Sequence, residues 1–248
     1  IPPPMYYTDQ IFSQYCEAHY VPPYHGIPNF PASCAAICLE LMRDKPKRRA
    51  LDLGCSVGRA SFTLARGFEL VHGLDFSARF IRIGHQLQER GMIRYALVEE
   101  GENVSYHERR LTELELSENA GRVEFLQADA MNLKQRFTDY DLILAANLVD
   151  RLANPRSFLE TIHERIQPGG LLVLTSPYTW LEEFTRKEYW LGGFRRDGES
   201  VKSLETITAI LGEHFTMYGE PRDLDFVLRE TARKFQHSVS QLTVWQRK

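Results

Sequence analysis

Ala50-Leu51-Asp52-Leu53-Gly54-Cys55-Ser56-Val57-Gly58, carried on to Leu70-Val71-His72-Gly73-Leu74-Asp75, is the stretch that decides the fold. Residues 50–53 form an apolar run broken by one acid, the length of a buried strand. Gly54 to Gly58 reads as a tight glycine loop. A helical stretch follows, with Phe62, Leu64 and Ala65 on its packing side. A second apolar run, residues 70–74, ends on Asp75. Strand, glycine turn, helix, strand and terminal acid make half of a nucleotide-binding unit. The glycines let a ligand approach the backbone, and an acid at the second strand's tip can take both ribose hydroxyls.

The spacing selects among ligands. A pyrophosphate held on backbone amides calls for G-x-G-x-x-G, which is absent here. Asp52, just before the loop, repels phosphate and suits a cation. Asp52-x-Gly54-x-x-x-Gly58 followed by Asp75 resembles the class I S-adenosylmethionine-dependent methyltransferases. The alternative is an ordinary βαβ unit with a glycine turn. In the resembled family the loop lies against the methionine part of the cofactor and the acid holds the ribose. The resemblance therefore implies S-adenosylmethionine as cofactor and S-adenosylhomocysteine as its product. The implied cofactor set begins with Asp52, Gly54, Gly58, Asp75, Phe76 and Ser77.

Further signals follow in the expected order over residues 49–176. A third strand, 122–127, ends at Ala128-Asp129-Ala130. In the resembled family this position meets the adenine, which assigns Asp129 and the Ala130 amide, although a simple turn cap at Asp129 is the other reading. A fourth strand within 137–145 ends at Asn147-Leu148-Val149-Asp150-Arg151. Ligands of open α/β sheets bind at the strands' carboxyl ends, so Asn147, Asp150 and Arg151 fall near the reacting region. Asn154-Pro155 opens a helix. Ile166-Gln167-Pro168-Gly169-Gly170 and the apolar strand 171–176 reproduce another class I signature. The fold class expected is α/β: a Rossmann-like methyltransferase sheet with helices on both faces and an N-terminal helical and loop lid.

The 248 residues are read as one methyltransferase domain, with residues 1–46 as lid or clasp and 47–248 as the cofactor-binding core. Residues 92–118 look like a charged, irregular insertion whose acids and arginines form a solvated face. Ile1-Pro2-Pro3-Pro4 reads as an extended arm, 6–20 as a helix and 21–31 as an ordered loop rich in proline and aromatics. That N-terminal segment suits either a lid over the substrate or a clasp covering the sheet. A short helix is expected at 182–184, a longer one at 203–213, and β structure at 214–218, 226–230 and 238–245. Hydrophobic residues make up 43% of the chain, enough for a substantial core. A net charge of −3 argues against nucleic acid, as does the absence of an N/D-P-P-Y/F motif at Asn147. No apolar run approaches the ~20 residues of a membrane span. Four cysteines without a CxxC pair read as free thiols in a reducing cytoplasm, with no metal site.

The segments outside the core resemble one family closely. Tyr6-Tyr7-Thr8-Asp9, Gly26-Ile27-Pro28-Asn29-Phe30-Pro31, Asp75-Phe76-Ser77-Ala78-Arg79-Phe80-Ile81, Glu100-Gly101-Glu102 and Arg229-Glu230-x-Ala232-Arg233-Lys234-Phe235-Gln236 look like the C-terminal domain of ovothiol biosynthesis enzymes. That domain is a mercaptohistidine N-methyltransferase. It follows an N-terminal iron-dependent sulfoxide synthase module, and the resemblance implies the same fusion here. The implied reaction is methylation of an imidazole nitrogen of 5-mercaptohistidine to give ovothiol A. The alternative is a class I methyltransferase for another small molecule.

No general base is needed, because a neutral imidazole already has a free lone pair. The site must orient that nitrogen and bind a zwitterion. Arg151 or Arg229 suits the carboxylate, and Glu183 or Asp150 the amine. Tyr6, Tyr7, Phe30, Tyr178 and Trp180 are candidates to wall the ring. Asn147, His19 or a tyrosine such as Tyr178 is a candidate to hold its other nitrogen. For each charged residue the competing reading is a structural ion pair.

Overall fold

The computed structural model describes residues 9–248. Tyr6, Tyr7 and the proline-rich start lie outside the described residues. The chain runs α1 (Asp9–Tyr20), α2 (Phe30–Leu41), β1 (Arg49–Leu53), α3 (Arg59–Leu64), β2 (Leu70–Asp75) and α4 (Ala78–Arg90). It continues as β3 (Met92–Glu100), β4 (Asn103–Arg110), β5 (Val123–Gln127), β6 (Tyr140–Ala146), α5 (Pro155–Thr161) and β7 (Ile166–Ser176). It closes with β8 (Phe194–Arg196), β9 (Glu199–Val201), α6 (Ser203–Leu211), β10 (Phe215–Met217), β11 (Arg222–Arg229) and β12 (Phe235–Arg247).

Sequence chemistry sets the helix starts. Asn29 caps α2 by accepting the Ala32 amide at 3.1 Å, and Pro31 sits in the first turn, where a missing N–H costs nothing. Asn154 and Pro155 repeat the device on α5. Ser77 caps α4, and Gly91 ends it in the left-handed region. The Asn29 amide nitrogen also donates to the carbonyls of Ala18 (2.8 Å), His19 (3.1 Å) and Val21 (3.3 Å). One side chain thus closes α1 and opens α2.

The main sheet has the order β10-β12-β7-β6-β1-β2-β5, with β11 also paired to β12. Strands β1, β2, β5, β6 and β7 are parallel, and β12 runs antiparallel to β7. Strand order reverses at β1, which lies between β6 and β2. A crevice opens at the carboxyl ends of strands on either side of such a point. One buried cluster packs α1–α4 residues such as Tyr20, Phe62 and Phe80 with Phe125 against one sheet face. The other packs Phe158, Ile207 and Trp245 on the opposite face. All four cysteines are unpaired and buried: Cys16 in α1, Cys34 and Cys38 in α2, Cys55 in the glycine loop. Burial pushes each thiol's pKa up. Among the described residues no helix is long and apolar enough to cross a membrane.

Residues 92–110 depart from expectation. They form the antiparallel hairpin β3–β4, with Tyr95 opposite His107. The period-two pattern is carried by Ile93, Tyr95 and Leu97, which are buried; the charged residues between them obscure it. Nor is this segment simply a solvated face: Arg109 pairs with the buried Glu17 at 3.2 Å, and Glu99 with Arg229 at 2.6 Å. Residues 181–186 make turns instead of the expected short helix.

Candidate functional site

A cavity of about 410 Å³ opens beyond the carboxyl ends of β1, β2 and β6. Its floor is the glycine loop. Gly54 has φ +79°, and its amide and that of Cys55 donate to Leu74 O at 2.8 and 3.0 Å, tying loop to β2. A Cβ on Gly54 would stand 3.2 Å from Leu148, at the cavity's edge. Ser56 is held at φ +51°, where a non-glycine residue is strained. Its amide donates to Asp75 Oδ2 at 2.9 Å. The Ser56 hydroxyl oxygen is buried without a hydrogen-bond partner among the described residues.

Asp75 also accepts the Ser77 amide on Oδ1 at 2.8 Å. Two backbone amides favour its ionised form, yet burial outweighs them and brings the pKa up to about 6. Asp52 is buried and accepts the Ser61 hydroxyl at 2.6 Å. Its pKa is pushed up to about 7, chiefly by burial and further by the charge of Asp75, against the lowering of the Ser61 bond. Two carboxyls with no partner cation among the described residues thus converge on a cavity with an orphaned hydroxyl. That set fits a ligand bearing both positive charge and hydroxyl donors, as S-adenosylmethionine does.

Phe76, Asp129 and Ala130 line the end beyond β2 and β5. Phe76 is 44% exposed, unusual for its size. Asp129 is exposed and accepts the Met131 amide at 2.9 Å. Asn147, at φ +50°, lines the other side. Its Oδ1 accepts the Thr175 hydroxyl at 2.8 Å, leaving one lone pair available.

Helix α1 supplies Tyr15 and His19 to the lining. The Arg59 amide donates to His19 Nδ1 at 3.4 Å, so the ring proton sits on Nε2. Burial, aided by the charge of Arg59, lowers the His19 pKa to about 3. At neutral pH His19 is an uncharged hydrogen-bond donor, which makes it unsuited to holding a donating ring N–H.

The remaining wall is apolar on one side and charged at the mouth. The rings of Phe30 and Phe226 meet tilted by 43°, their centroids 5.1 Å apart. Arg151 lies 4.4 Å over the Phe184 ring and donates to Thr179 O at 3.3 Å, and Glu183 is exposed beside it. Both charged residues line the cavity.

Several expected site residues are not part of this lining. Trp180 packs into the opposite core and donates to Ser203 Oγ at 2.9 Å. Tyr178 donates to Gln241 at 2.9 Å. Arg229 is engaged with Glu99. Asp150 is fully buried, accepting Ser176 Oγ at 3.0 Å and the Thr179 amide at 3.1 Å. Gly58 lies behind the loop, where a Cβ would meet Phe125 at 2.6 Å. Conversely, sequence reading missed Tyr15, Ser56, Phe80 and Phe226. Ser56 was visible as the polar member of the loop, whereas Phe226 reaches the cavity only through the pairing of β11.

Residues 29–218 match the profile of the methyltransferase domain family. No match was found among the curated proteins. Among solved structures, the N-methyltransferase NodS from Bradyrhizobium japonicum WM9, in complex with S-adenosylhomocysteine, is 17% identical with a TM-score of 0.55, covering 97% of this chain and 99% of that one. The [4+2]-cyclase SpnF is 16% identical with a TM-score of 0.60, covering 100% and 98%. Magnesium protoporphyrin IX methyltransferase from Synechocystis PCC 6803, with bound S-adenosylmethionine, is 14% identical with a TM-score of 0.57, covering 98% and 94%. At these identities the likeness is one of fold.

Proposed function

The chain belongs to the methyltransferase domain family, and from that premise we propose that it methylates a ring nitrogen of 5-mercaptohistidine, giving ovothiol A. The observation that carries this acceptor is where the ovothiol-like segments fall. Phe30 and Pro31 of the Gly26–Pro31 segment, and Phe76, Ser77 and Phe80 of the Asp75–Ile81 segment, all line the cavity. The Arg229–Gln236 segment reaches the neighbour of another, since Arg229 pairs with Glu99, which adjoins Glu100-Gly101-Glu102. The same reading carries an upstream iron-dependent sulfoxide synthase module and a cytoplasmic setting.

S-adenosylmethionine is the cofactor, and it supplies an electrophilic methyl group on a sulfonium. In the proposed arrangement Asp75 accepts both ribose hydroxyls while the Ser56 amide steadies it. Phe76 offers a ring face to the adenine, Asp129 accepts its amino group and the Ala130 amide serves its ring. Gly54, Ser56 and Asp52 serve the methionine end, and Ser77 orders the Asp75 turn. Gly58 keeps the loop close to Phe125 and acts on the cofactor through the loop's shape.

The acceptor's attacking nitrogen brings its own lone pair, so its other nitrogen carries a proton and needs an acceptor. Asn147 Oδ1 fills that role. His19 donates from Nε2 to the sulfur or carboxylate of the acceptor. Phe30 and Phe226 flank the ring and exclude water. Arg151 takes the carboxylate at the mouth and Glu183 the amine. Tyr178, Trp180 and Arg229 support these elements from behind. As the new N–C bond forms and the methyl–sulfur bond breaks, the ring becomes cationic, and its N–H proton then leaves to water.

The test is incubation with S-adenosylmethionine and reduced 5-mercaptohistidine, with histidine as control. A gain of one methyl group on the thiol-bearing substrate alone, located on a ring nitrogen by NMR, is expected. No gain, with S-adenosylhomocysteine still bound in calorimetry, would overturn the acceptor and leave the cofactor.

A further inference from the structure

Glu17 is a charged residue placed where charge is expensive. It lies on α1, immediately after the buried Cys16 and one turn after Ser13, and is 1% exposed. Its carboxylate is nonetheless fully engaged. Oε1 accepts the Tyr24 hydroxyl from the loop after α1, and Oε2 accepts the Tyr95 hydroxyl from β3 and Arg109 Nη2 from β4, the last at 3.2 Å. None of these four residues lines the cavity. A buried ion pair is seldom more stabilising than apolar packing of the same shape. What it does supply is a unique geometry, because a buried carboxylate tolerates only the arrangement that satisfies it.

That geometry bears directly on the cavity. Two residues after Glu17, on the same helix, His19 lines it and is bonded to the Arg59 amide behind the glycine loop. Two residues before, Tyr15 lines it and packs 5.3 Å from Phe80 at the start of α4. The face of α1 that carries them therefore lies over the glycine loop and the Asp75 turn. The hairpin that holds Glu17 is also tied to β11, through Glu99 and Arg229 at 2.6 Å, three residues from the cavity-lining Phe226. The other end of α1 offers a weaker hold, since its pair with Arg79 uses an Asp9 carboxylate that is 93% exposed.

We propose that Glu17 is a positioning residue: it latches α1 to the inserted β3–β4 hairpin so that Tyr15 and His19 stay closed over the bound cofactor. The hairpin contributes no cavity residue itself and acts on α1, and so on the ligand, through this buried carboxylate. The proposal rests on reading the cavity as the cofactor site.

The test measures S-adenosylhomocysteine binding and release by the full chain, wild type against Glu17→Ala, Glu17→Gln and Tyr95→Phe, with thermal melting recorded for each. In the Ala variant release is expected to be at least about tenfold faster, with association within about threefold of wild type. The Gln variant, whose amide can still accept and donate, should return release to within about threefold of wild type. Tyr95→Phe removes one donor and keeps the ion pair, so it should fall between. A merely structural Glu17 would lower the melting temperature of the folded variants and leave release unchanged, and that result overturns the proposal. If the Ala variant does not fold, unchanged release from Tyr95→Phe overturns it equally. Failure of the wild type to bind S-adenosylhomocysteine would instead remove the cofactor reading of the cavity, and the latch with it.

Discussion

Asp75 Oδ2 accepts the backbone amide of Ser56 at 2.9 Å, joining the tip of β2 to the middle of the glycine loop. The acid that sequence reading assigned to a ribose is therefore also the brace that holds Ser56 at φ +51°. With the proposed ribose role, loop shape and ribose recognition would share one carboxylate.

Asp75→Ala should weaken S-adenosylhomocysteine binding by about a hundredfold or more, since each of the two ribose hydrogen bonds to a charged group contributes roughly 1.5–3 kcal/mol. Calorimetry decides it. An affinity equal to wild type would remove the ribose role.

Acid strength gives a second prediction. Asp75 titrates at about 6 and Asp52 at about 7, both above their ordinary 3.8. Between pH 4 and 7 the empty folded chain thus holds protons that the unfolded chain has released. These two groups make it less stable as pH rises through that window, by at most about 1.4 kcal/mol per pH unit for each group. Ligand binding has the opposite sign, because ribose hydroxyls favour the ionised Asp75. Affinity for S-adenosylhomocysteine should be about tenfold lower at pH 5 than at pH 7.5, one unit below the Asp75 pKa against well above it. A flat affinity profile would show that Asp75 is already ionised in the empty protein.

His19 should leave no mark on the pH–rate profile. Its pKa near 3 keeps it neutral throughout the working range. His19→Phe removes the Nε2 donor and should raise the acceptor KM by about tenfold or more, with the cofactor constant changing less. An inflection near pH 6.5 in the wild type that disappears in His19→Gln would overturn the neutral tautomer.

Gly58→Ala tests the loop's support. The added methyl meets Phe125 at 2.6 Å at a residue whose φ is +92°. Overpacking and a disfavoured backbone together should cost about 2–4 kcal/mol. The melting temperature should fall by several degrees. In Phe125→Leu the same substitution should cost less, and a double-mutant cycle reads the difference.

The parallel core was legible because its signals are local. A strand, a glycine turn and an acid lie within 26 residues, and Gln167-Pro168-Gly169-Gly170 marks the entry to β7 without reference to anything distant. Residues 92–110 were harder. Ile93, Tyr95 and Leu97 alternate, but charges fill the other face and the turn at Gly101 is short. At the site, loop residues next to a strand end were readable from order alone, as with Asp75, Asp129 and Asn147. Residues delivered by long-range packing were not. Trp180 looked like a wall for the acceptor because it follows β7 closely, yet its indole turns into the core to reach Ser203. Glu17 carries no local signal on the 6–20 helix, since its partners stand as far as 92 positions away.

The buried cysteines take on a meaning of their own beside the sulfur-bearing acceptor proposed above. Thiol–disulfide exchange runs through an accessible thiolate. Cys16, Cys34, Cys38 and Cys55 offer none: each is buried, and burial holds each in its thiol form. Even Cys55, which lines the cavity, is only 2% exposed. The folded chain can thus stand beside a reactive sulfur compound, reduced or oxidised, without becoming covalently joined to it. A thiol-reactive dye would stay dark on the native protein and light up only as it unfolds, so that the protein's own sulfur becomes a gauge of its integrity.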